Sequence, residues 1–389
     1  MYTLRTRFSH PNWLWFRALS AVIGSVIGVG VFGLPYAFAK SGFVLGTIEL
    51  VIFGIFLVAL PLMFSEVVIQ TQKKHRLAGY VSEYMGTHWG HVSMLALTAS
   101  SWGAMIAYII VGGRFLFTLF HPFLGGEEIF YQIAMPVLAL LLTLRGISFL
   151  SKIEVYLVGG LLFLFLFLTL SSLPYIKISH LVQIDTEHFF VPYGVILFAF
   201  SGLGIIPEIK AFLGEKQKHL LSHAILVGYG LIFLLYFAFT FAVVGLTGPQ
   251  TTEIAFDGVI QVLGPFVGVI GSLLGTLTIL SIFSLMAMQL QDSLSIDYKV
   301  PRSIAWLGSI LIPLALFLFG VRTFIDLIGF VGSVFGGIIA ILVILTYQKM
   351  RHSGVCRRHH CLNVPKIITI IIAILFLIGM SFEIYQVLL

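Results

Sequence analysis

Long runs without a single charge constrain this chain before anything else. Residues 157–173 and 367–378 contain no Asp, Glu, Lys or Arg, and each lies inside an apolar stretch about as long as a bilayer is thick. Composition agrees: of 389 residues 59% are hydrophobic and 10% charged, where a soluble domain carries roughly a quarter charged residues. Thirty-six Phe and a mean hydropathy of +1.06 describe a chain whose solvent is lipid. A net charge of +6 does not point to nucleic acid, because the basic residues sit in short loops between apolar runs. The two cysteines, Cys356 and Cys361, share one basic loop, so no disulfide framework holds the fold.

The apolar runs predict an all-α membrane protein of eleven transmembrane helices, over residues 17–39, 43–70, 91–120, 130–144, 153–173, 189–213, 220–246, 262–290, 303–319, 324–347 and 364–389. No soluble domain is left over, and residues 1–389 are expected to form a single transporter domain. The first 15 residues, with Arg5, Arg7 and Pro11, imitate a signal peptide. The apolar run then continues past any small-residue cleavage site into Leu34-Pro35, which predicts a retained helix.

Orientation follows from Lys and Arg. With the N-terminus in the cytoplasm, the inner segments collect eighteen of them, in the stretches 5–17, 73–76, 145–152, 210–218, 299–302 and 349–366. The outer side keeps four: Lys40, Arg114, Lys177 and Arg322. This bias predicts a cytoplasmic N-terminus and an external C-terminus.

The most informative residues are Gly24-Ser25-Val26-Ile27-Gly28-Val29-Gly30-Val31-Phe32-Gly33-Leu34-Pro35. Closely spaced glycines followed by Pro weaken a helix in mid-membrane, where an unpaired backbone group costs several kcal/mol unless it lines a cavity or is packed in protein. The sixth helix repeats the feature in Ser201-Gly202-Leu203-Gly204-Ile205-Ile206-Pro207, and the two Gly-x-Gly centres lie 174 residues apart. Glycines also serve plain helix packing, and Gly24 and Gly28 fit that role. Two interrupted helices, each opening a five-helix half, instead predict a substrate site between inverted repeats over residues 17–173 and 189–347, with 364–389 as an extra helix. Unwinding at Gly28 to Gly30 frees N–H groups at a positive helix end, which favours a carboxylate. It also frees carbonyls for an ammonium group or a cation. No charged side chain lies near either break, which suits a neutral amino-acid zwitterion, and Ser25 and Ser201 offer hydroxyls.

Gly28-Val29-Gly30-Val31-Phe32-Gly33-Leu34-Pro35 resembles the first-helix motif of the amino acid–polyamine–organocation superfamily. With Ala199-Phe200-Ser201-Gly202 and Ile206-Pro207-Glu208, the chain most resembles the amino acid/auxin permease and bacterial aromatic amino acid permease branches. The resemblance implies a leucine-transporter-like fold of five plus five inverted helices and one extra, with the first and sixth helices discontinuous. It further implies cation-coupled symport of neutral or aromatic L-amino acids by alternating access, in the plasma membrane. Carried over, Gly28, Val29 and Gly30 hold the substrate carboxylate, and Ser201, Gly202 and Gly204 hold the amine and side chain. For a sodium ion the matching groups are the Gly24 and Ile27 carbonyls and the Ser281 hydroxyl. Ile282 stands where a second hydroxyl often occurs, a departure that favours protons, although Ser284 lies one turn from Ser281 and offers a substitute.

Ionisable residues within spans are candidates for function. Glu208 is placed to exchange a proton as the inner gate moves, or else to pair with Lys210. Glu66 invites the same reading closer to water. Glu49 and Arg114 are placed to pair, or Arg114 to snorkel; Lys152 and Glu154 begin the fifth helix at the interface. Tyr108 is positioned to cover the substrate or simply to pack, and Phe32 and Phe200 to line a side-chain pocket. Cys356, His359, His360 and Cys361 crowd four metal-ligand types into six residues, closer than structural zinc sites space them; headgroup contact is the simpler role, and no metal is expected.

No His-Glu-x-x-His, Gly-x-Ser-x-Gly or Walker loop is present, so the expectation is a transporter and not an enzyme. Its expected partners are an amino-acid substrate and the bilayer, with no nucleic acid and no cofactor beyond a co-transported proton or sodium ion; the oligomeric state is open. The competing reading is an amino-acid sensor of the same fold, against which the short termini argue.

Overall fold

A computed structural model describes residues 11–144, 147–353 and 361–388. The side chains of Lys152 and Glu154, and all of Arg145, Cys356, His359 and His360, lie outside the described residues. Cys361 is described and is disulfide-bonded, so its sulfur is not a free thiolate.

The described residues are helical almost throughout. The chain opens with a broken pair, α1 (Pro11–Val26) and α2 (Gly30–Ser41), bent by 53° where they meet. Gly42 turns the chain at φ 89°, a left-handed value that only glycine adopts freely, into α3 (Phe43–Leu57), which α4 (Ala59–Gln70) continues. A short helix, α5 (Leu77–Met85), precedes α6 (Thr87–Leu124), whose 38 residues reach about 57 Å, more than a bilayer core. Then come α7 (Glu128–Thr143), α8 (Ile147–Ser172) and a single-turn α9 (Ile178–Leu181). The second broken pair is α10 (Val191–Ala199) and α11 (Ile206–Leu213), separated by residues 200–205. After α12 (Leu220–Thr247) a separate surface helix, α13 (Ala255–Leu263), leads through Gly264 at φ 93° into α14 (Pro265–Asp297). The chain ends with α15 (Arg302–Leu318), α16 (Phe324–Phe330), a π-helical turn at Val331–Phe335, α17 (Gly336–His352) and α18 (Lys366–Leu388).

Eight of these segments are long and apolar enough to cross a membrane, and the broken first pair makes a ninth. The fourth and ninth expected spans, α7 and α15, are apolar but only 16 and 17 residues long. Exposed Phe163, Leu166 and Leu170 on α8, with Ile370, Ile374 and Leu377 on α18, form apolar outer faces that suit lipid and not water.

Two departures from the sequence reading matter. The expected eighth helix at 262–290 begins only after Gly264, because α13 is a helix of its own. The expected tenth helix is interrupted by the π turn, a form that relaxes the regular hydrogen-bond ladder and gathers at functional sites.

The interior is close-packed where backbones must approach. Gly332 on the π turn lies against the Gly194 carbonyl of α10, leaving no room for a Cβ. Gly332→Ala therefore forces backbone apart, and the expected loss is about 1–3 kcal/mol, read as earlier thermal unfolding of the purified protein in detergent.

Candidate functional site

At the first break, Ile27, Gly28 and Val29 leave the helix. Among the described residues no backbone carbonyl accepts from the N–H groups of Gly28, Val29, Gly30 or Val31 at the start of α2. The Gly24, Ser25 and Ile27 carbonyls likewise receive no backbone donor. The Tyr108 hydroxyl of α6 covers Gly28 so closely that a Cβ there would come within 2.9 Å of it. Tyr108 is buried, and its hydroxyl makes no hydrogen bond to the described residues.

The second break is Phe200 to Ile205, including one 3-10 turn. The two breaks touch: a Cβ on Gly30 would fall 2.8 Å from the Ala199 Cα. Two tyrosines of α12 satisfy three of the carbonyls that the breaks leave behind. The Tyr236 hydroxyl lies 3.2 Å from the Val26 carbonyl and 2.9 Å from that of Ala199, so one proton serves both broken helices. Tyr229 donates to the Phe200 carbonyl at 3.2 Å. The expected hydroxyls of Ser25 and Ser201 are also in place, donating to Val22 and Phe198 at 3.0 and 2.7 Å. With their protons committed, both present only lone pairs, which suits an ammonium donor.

Between the breaks lies a cavity of about 150 Å³. Of the residues expected from sequence, Ser25, Gly28, Gly30, Tyr108, Phe200, Ser201, Gly202 and Gly204 line it. Ser100, Ser101, Tyr229, Met286, Gln289 and Gly332 line it too, and sequence reasoning passed over them. No Asp, Glu, Lys or Arg is among its lining residues.

Two of the expected residues are elsewhere. Val29 is fully buried and supplies backbone alone, its carbonyl accepting from Phe32. Phe32 does not line the pocket. Its ring points the other way, into a cluster with Phe115, Phe165, Phe239 and Phe256 at centroid distances of 5.2 to 6.4 Å.

The profile of the tryptophan/tyrosine permease family matches residues 14–382, nearly the whole described chain. The chain belongs to that family. It is therefore an amino acid permease and not an enzyme. Similarity to curated proteins is weak but consistent. Glutamine transporter 2 of Aliivibrio fischeri is 20% identical over 83% of this chain and 86% of its own length. Amino acid transporter ANT1 of Arabidopsis thaliana is 26% identical over 36% of this chain, a match spanning about a third (34%) of the relative. Among solved structures, MhsT in complex with L-phenylalanine superposes with a TM-score of 0.73 at 16% identity, covering 95% of this chain and 97% of that one. A manganese transporter of Eremococcus coleocola gives 0.70 at 15% identity, over 98% and 90%. At such identities the likeness is one of fold, and it is the transporter fold expected from the paired breaks.

In this permease a second, smaller cavity of about 10 Å³ brings together Gly24, Ile27 and Ser281, three of the expected cation ligands. That is near the lower limit for a single water. The Ser281 hydroxyl is buried and makes no hydrogen bond to the described residues. Ser284 is not with them. It donates to Leu280 at 2.7 Å and approaches the Ala139 carbonyl at 3.2 Å, facing α7. The second hydroxyl at this cavity is instead Thr278.

Two contrasting clusters flank the main cavity. Towards α13, the Phe32 cluster fills the space above Gly30, with Phe256 of α13 pressed against Gly271. Arg114 then ties α6 to α13 and α7, meeting Asp257 at 3.2 Å and Glu128 at 2.8 Å. Burial lifts the Asp257 carboxyl, and Arg114 draws it part of the way back. The expected Glu49–Arg114 pair is absent: Glu49 is buried on α3 without a hydrogen-bond partner among the described residues. Towards α5, Arg76 pairs with Glu208 of α11 and meets Asp292 of α14 at 2.9 Å. Each of these three lies within a turn of a lining residue, Leu77, Gly204 or Gln289, so the network stands close to that side of the cavity. Burial works against the Arg76 charge, but Glu208 and Asp292 outweigh it and hold the guanidinium more firmly protonated than usual. Glu208 thus pairs with Arg76 and not with Lys210, which donates to the Thr71 carbonyl and faces Glu215. Glu66 accepts from Gln70 at 2.7 Å within α4.

Two outcomes follow. Tyr236→Phe leaves the Val26 and Ala199 carbonyls without their donor, at about 1–3 kcal/mol for each buried group, and lowers the unfolding temperature more than Tyr229→Phe does. With Ala104→Cys as reporter and Cys356 and Cys361 replaced by Ser, Arg76→Gln raises labelling by an impermeant thiol reagent added on the α5 side.

Proposed function

We propose that the protein concentrates neutral or aromatic L-amino acids by cation-coupled symport, through alternating access to the two sides of the membrane. The observation that carries this reading is a cavity lined by both helix breaks and by no charged side chain. The substrate carboxylate sits at the free N–H groups of Gly28 to Val31, where the α2 dipole is positive, with the Tyr108 hydroxyl as a further donor. The ammonium group donates to the Ser25 and Ser201 oxygens. The side chain extends into the apolar part of the cavity, between Leu97, Met286 and Ile339. The protein lies in the plasma membrane, with the N-terminus and the Arg76 network on the cytoplasmic face.

Protons are the favoured coupling ion, with Glu208 taking up a proton when the Arg76 contact opens. One observation favours sodium instead: Thr278 and Ser281 place two hydroxyls beside the free Gly24 and Ile27 carbonyls, an oxygen set that suits a hard cation. Uptake of labelled L-amino acids into proteoliposomes under a proton gradient, and separately a sodium gradient, distinguishes the two. Accumulation under the proton gradient alone is the expected result. Binding without accumulation under either gradient overturns transport in favour of a sensor. Under proton coupling, Glu208→Gln abolishes gradient-driven uptake and spares counterflow exchange; an unaltered pH dependence sinks that role. Gly28→Ala drives a Cβ onto the Tyr108 hydroxyl and raises KM for every substrate.

A further inference from the structure

The inner stripe of α18 is Thr369, Ile372, Phe376 and Gly379, all buried and at helical spacing, while its other faces are exposed and apolar. Among the described residues one member of α18, Phe376, lines the main cavity. It reaches the cavity because the wall in front of it is thin. The lining residues there are Gly332 on the π turn and Gly336, Ile339 and Ala340 on α17, so three of the four carry no more than a methyl group. Gly337 faces α18, and a Cβ on it would lie 3.7 Å from the Phe376 ring, which sets the ring level with the gap between Gly336 and Ala340. A Cβ on Gly336 would meet nothing closer than the Val331 carbonyl, also at 3.7 Å, so open space stands beside it. The ring is also held in place. The Tyr193 hydroxyl of α10 donates to the Leu375 carbonyl at 3.3 Å, Gly379 lets the Tyr193 ring rest against α18, and Ser333 of the π turn donates to Glu383 at 3.5 Å.

We propose, on the reading that this cavity holds the amino acid, that the Phe376 ring is an end wall of the substrate chamber and sets the longest apolar side chain the protein accepts. Phe198 joins the first break to the π turn: a Cβ on Gly30 would come 3.1 Å from its ring, and a Cβ on Gly332 2.7 Å from its backbone nitrogen. Gly337 follows Gly332 by five residues, roughly 7 Å along the helix, so Phe376 stands about that far beyond the level of the first break. An apolar ring makes contacts without direction and therefore selects by volume. A side chain that stops short of it forfeits contact, and one that is too long meets a wall that must move. The wall cannot move outward alone, because α18 is tied to α10 and to the π turn on either side of Phe376. The last helix of the chain thus takes part in choosing the substrate, although it contributes neither broken helix nor backbone group to the site.

The test is uptake kinetics of labelled L-alanine, L-leucine, L-phenylalanine and L-tryptophan in proteoliposomes, comparing wild type with Phe376→Ala and Gly336→Ala. The quantity read is the ratio of KM for the largest amino acid taken up to KM for the smallest. Phe376→Ala deepens the chamber and lowers that ratio roughly tenfold, the scale on which apolar pockets discriminate by size. An amino acid that the wild type excludes and Phe376→Ala admits supports the proposal equally. Gly336→Ala places a methyl group in the open space before the ring and moves the ratio the other way, roughly fourfold, the weight of one buried carbon. If Phe376→Ala does not fold, Gly336→Ala carries the comparison, since its Cβ crowds no atom of the protein. An unchanged ratio in folded variants overturns the proposal, even where every KM rises, because a wall that only supports the fold moves all substrates together. Ratios that shift in the same direction in both variants overturn it too, while leaving transport standing. Failure of the wild type to accumulate any of the four overturns the reading of the cavity itself.

Discussion

The Tyr236 hydroxyl lies between the last carbonyls of α1 and α10, and the rest of the site is arranged around that contact. A helix that stops inside a membrane strands backbone groups with no water to take them. Here the Gly24, Ser25 and Ile27 carbonyls stay without a backbone donor among the described residues, and the other stranded groups divide into two sets. The carbonyls that face α12 are satisfied by Tyr236 and Tyr229, while the N–H groups of Gly28 to Val31 remain open towards the cavity. The chain can therefore keep an unwound, ligand-ready backbone in mid-membrane without losing the fold around it.

The close approach at Gly30 and Ala199 depends on the same tie. With both helix ends held to one tyrosine, the two breaks form a single wall, and residues from distant parts of the chain share one chamber. Beside that chamber the Arg76–Glu208–Asp292 network joins the loop before α5 to α11 and α14.

The breaks themselves were legible in the sequence because glycine and proline act locally: Gly28, Gly30, Gly202, Gly204 and Pro207 weaken a helix wherever they stand. Ser25 and Ser201 could be placed from them by spacing alone, and Tyr108 only by its depth in the third helix. Phe32 could not, since which side of a break a ring takes depends on what packs above it, here Phe256 of a short helix that lies before the expected eighth span. The Arg76–Asp292 contact joins residues 216 apart and leaves no local pattern. Gln289 looked like an ordinary polar residue near a helix end. The serines at 100 and 101 stand among other polar residues of the same helix, His91, Ser93 and Thr98, and nothing in the sequence marked their face as the one towards the cavity. The π turn has no sequence signature beyond its glycines.

The two flanking clusters differ in kind. Five phenylalanine rings meet without directional bonds, and apolar contact of this sort tolerates added salt and holds up on moderate warming. The opposite cluster hangs on one guanidinium between two carboxylates, an arrangement that ions in solution compete with directly once water reaches it. The response to salt would accordingly be lopsided: high ionic strength loosens the contacts on the Arg76 side while the aromatic cluster on the other side stays packed.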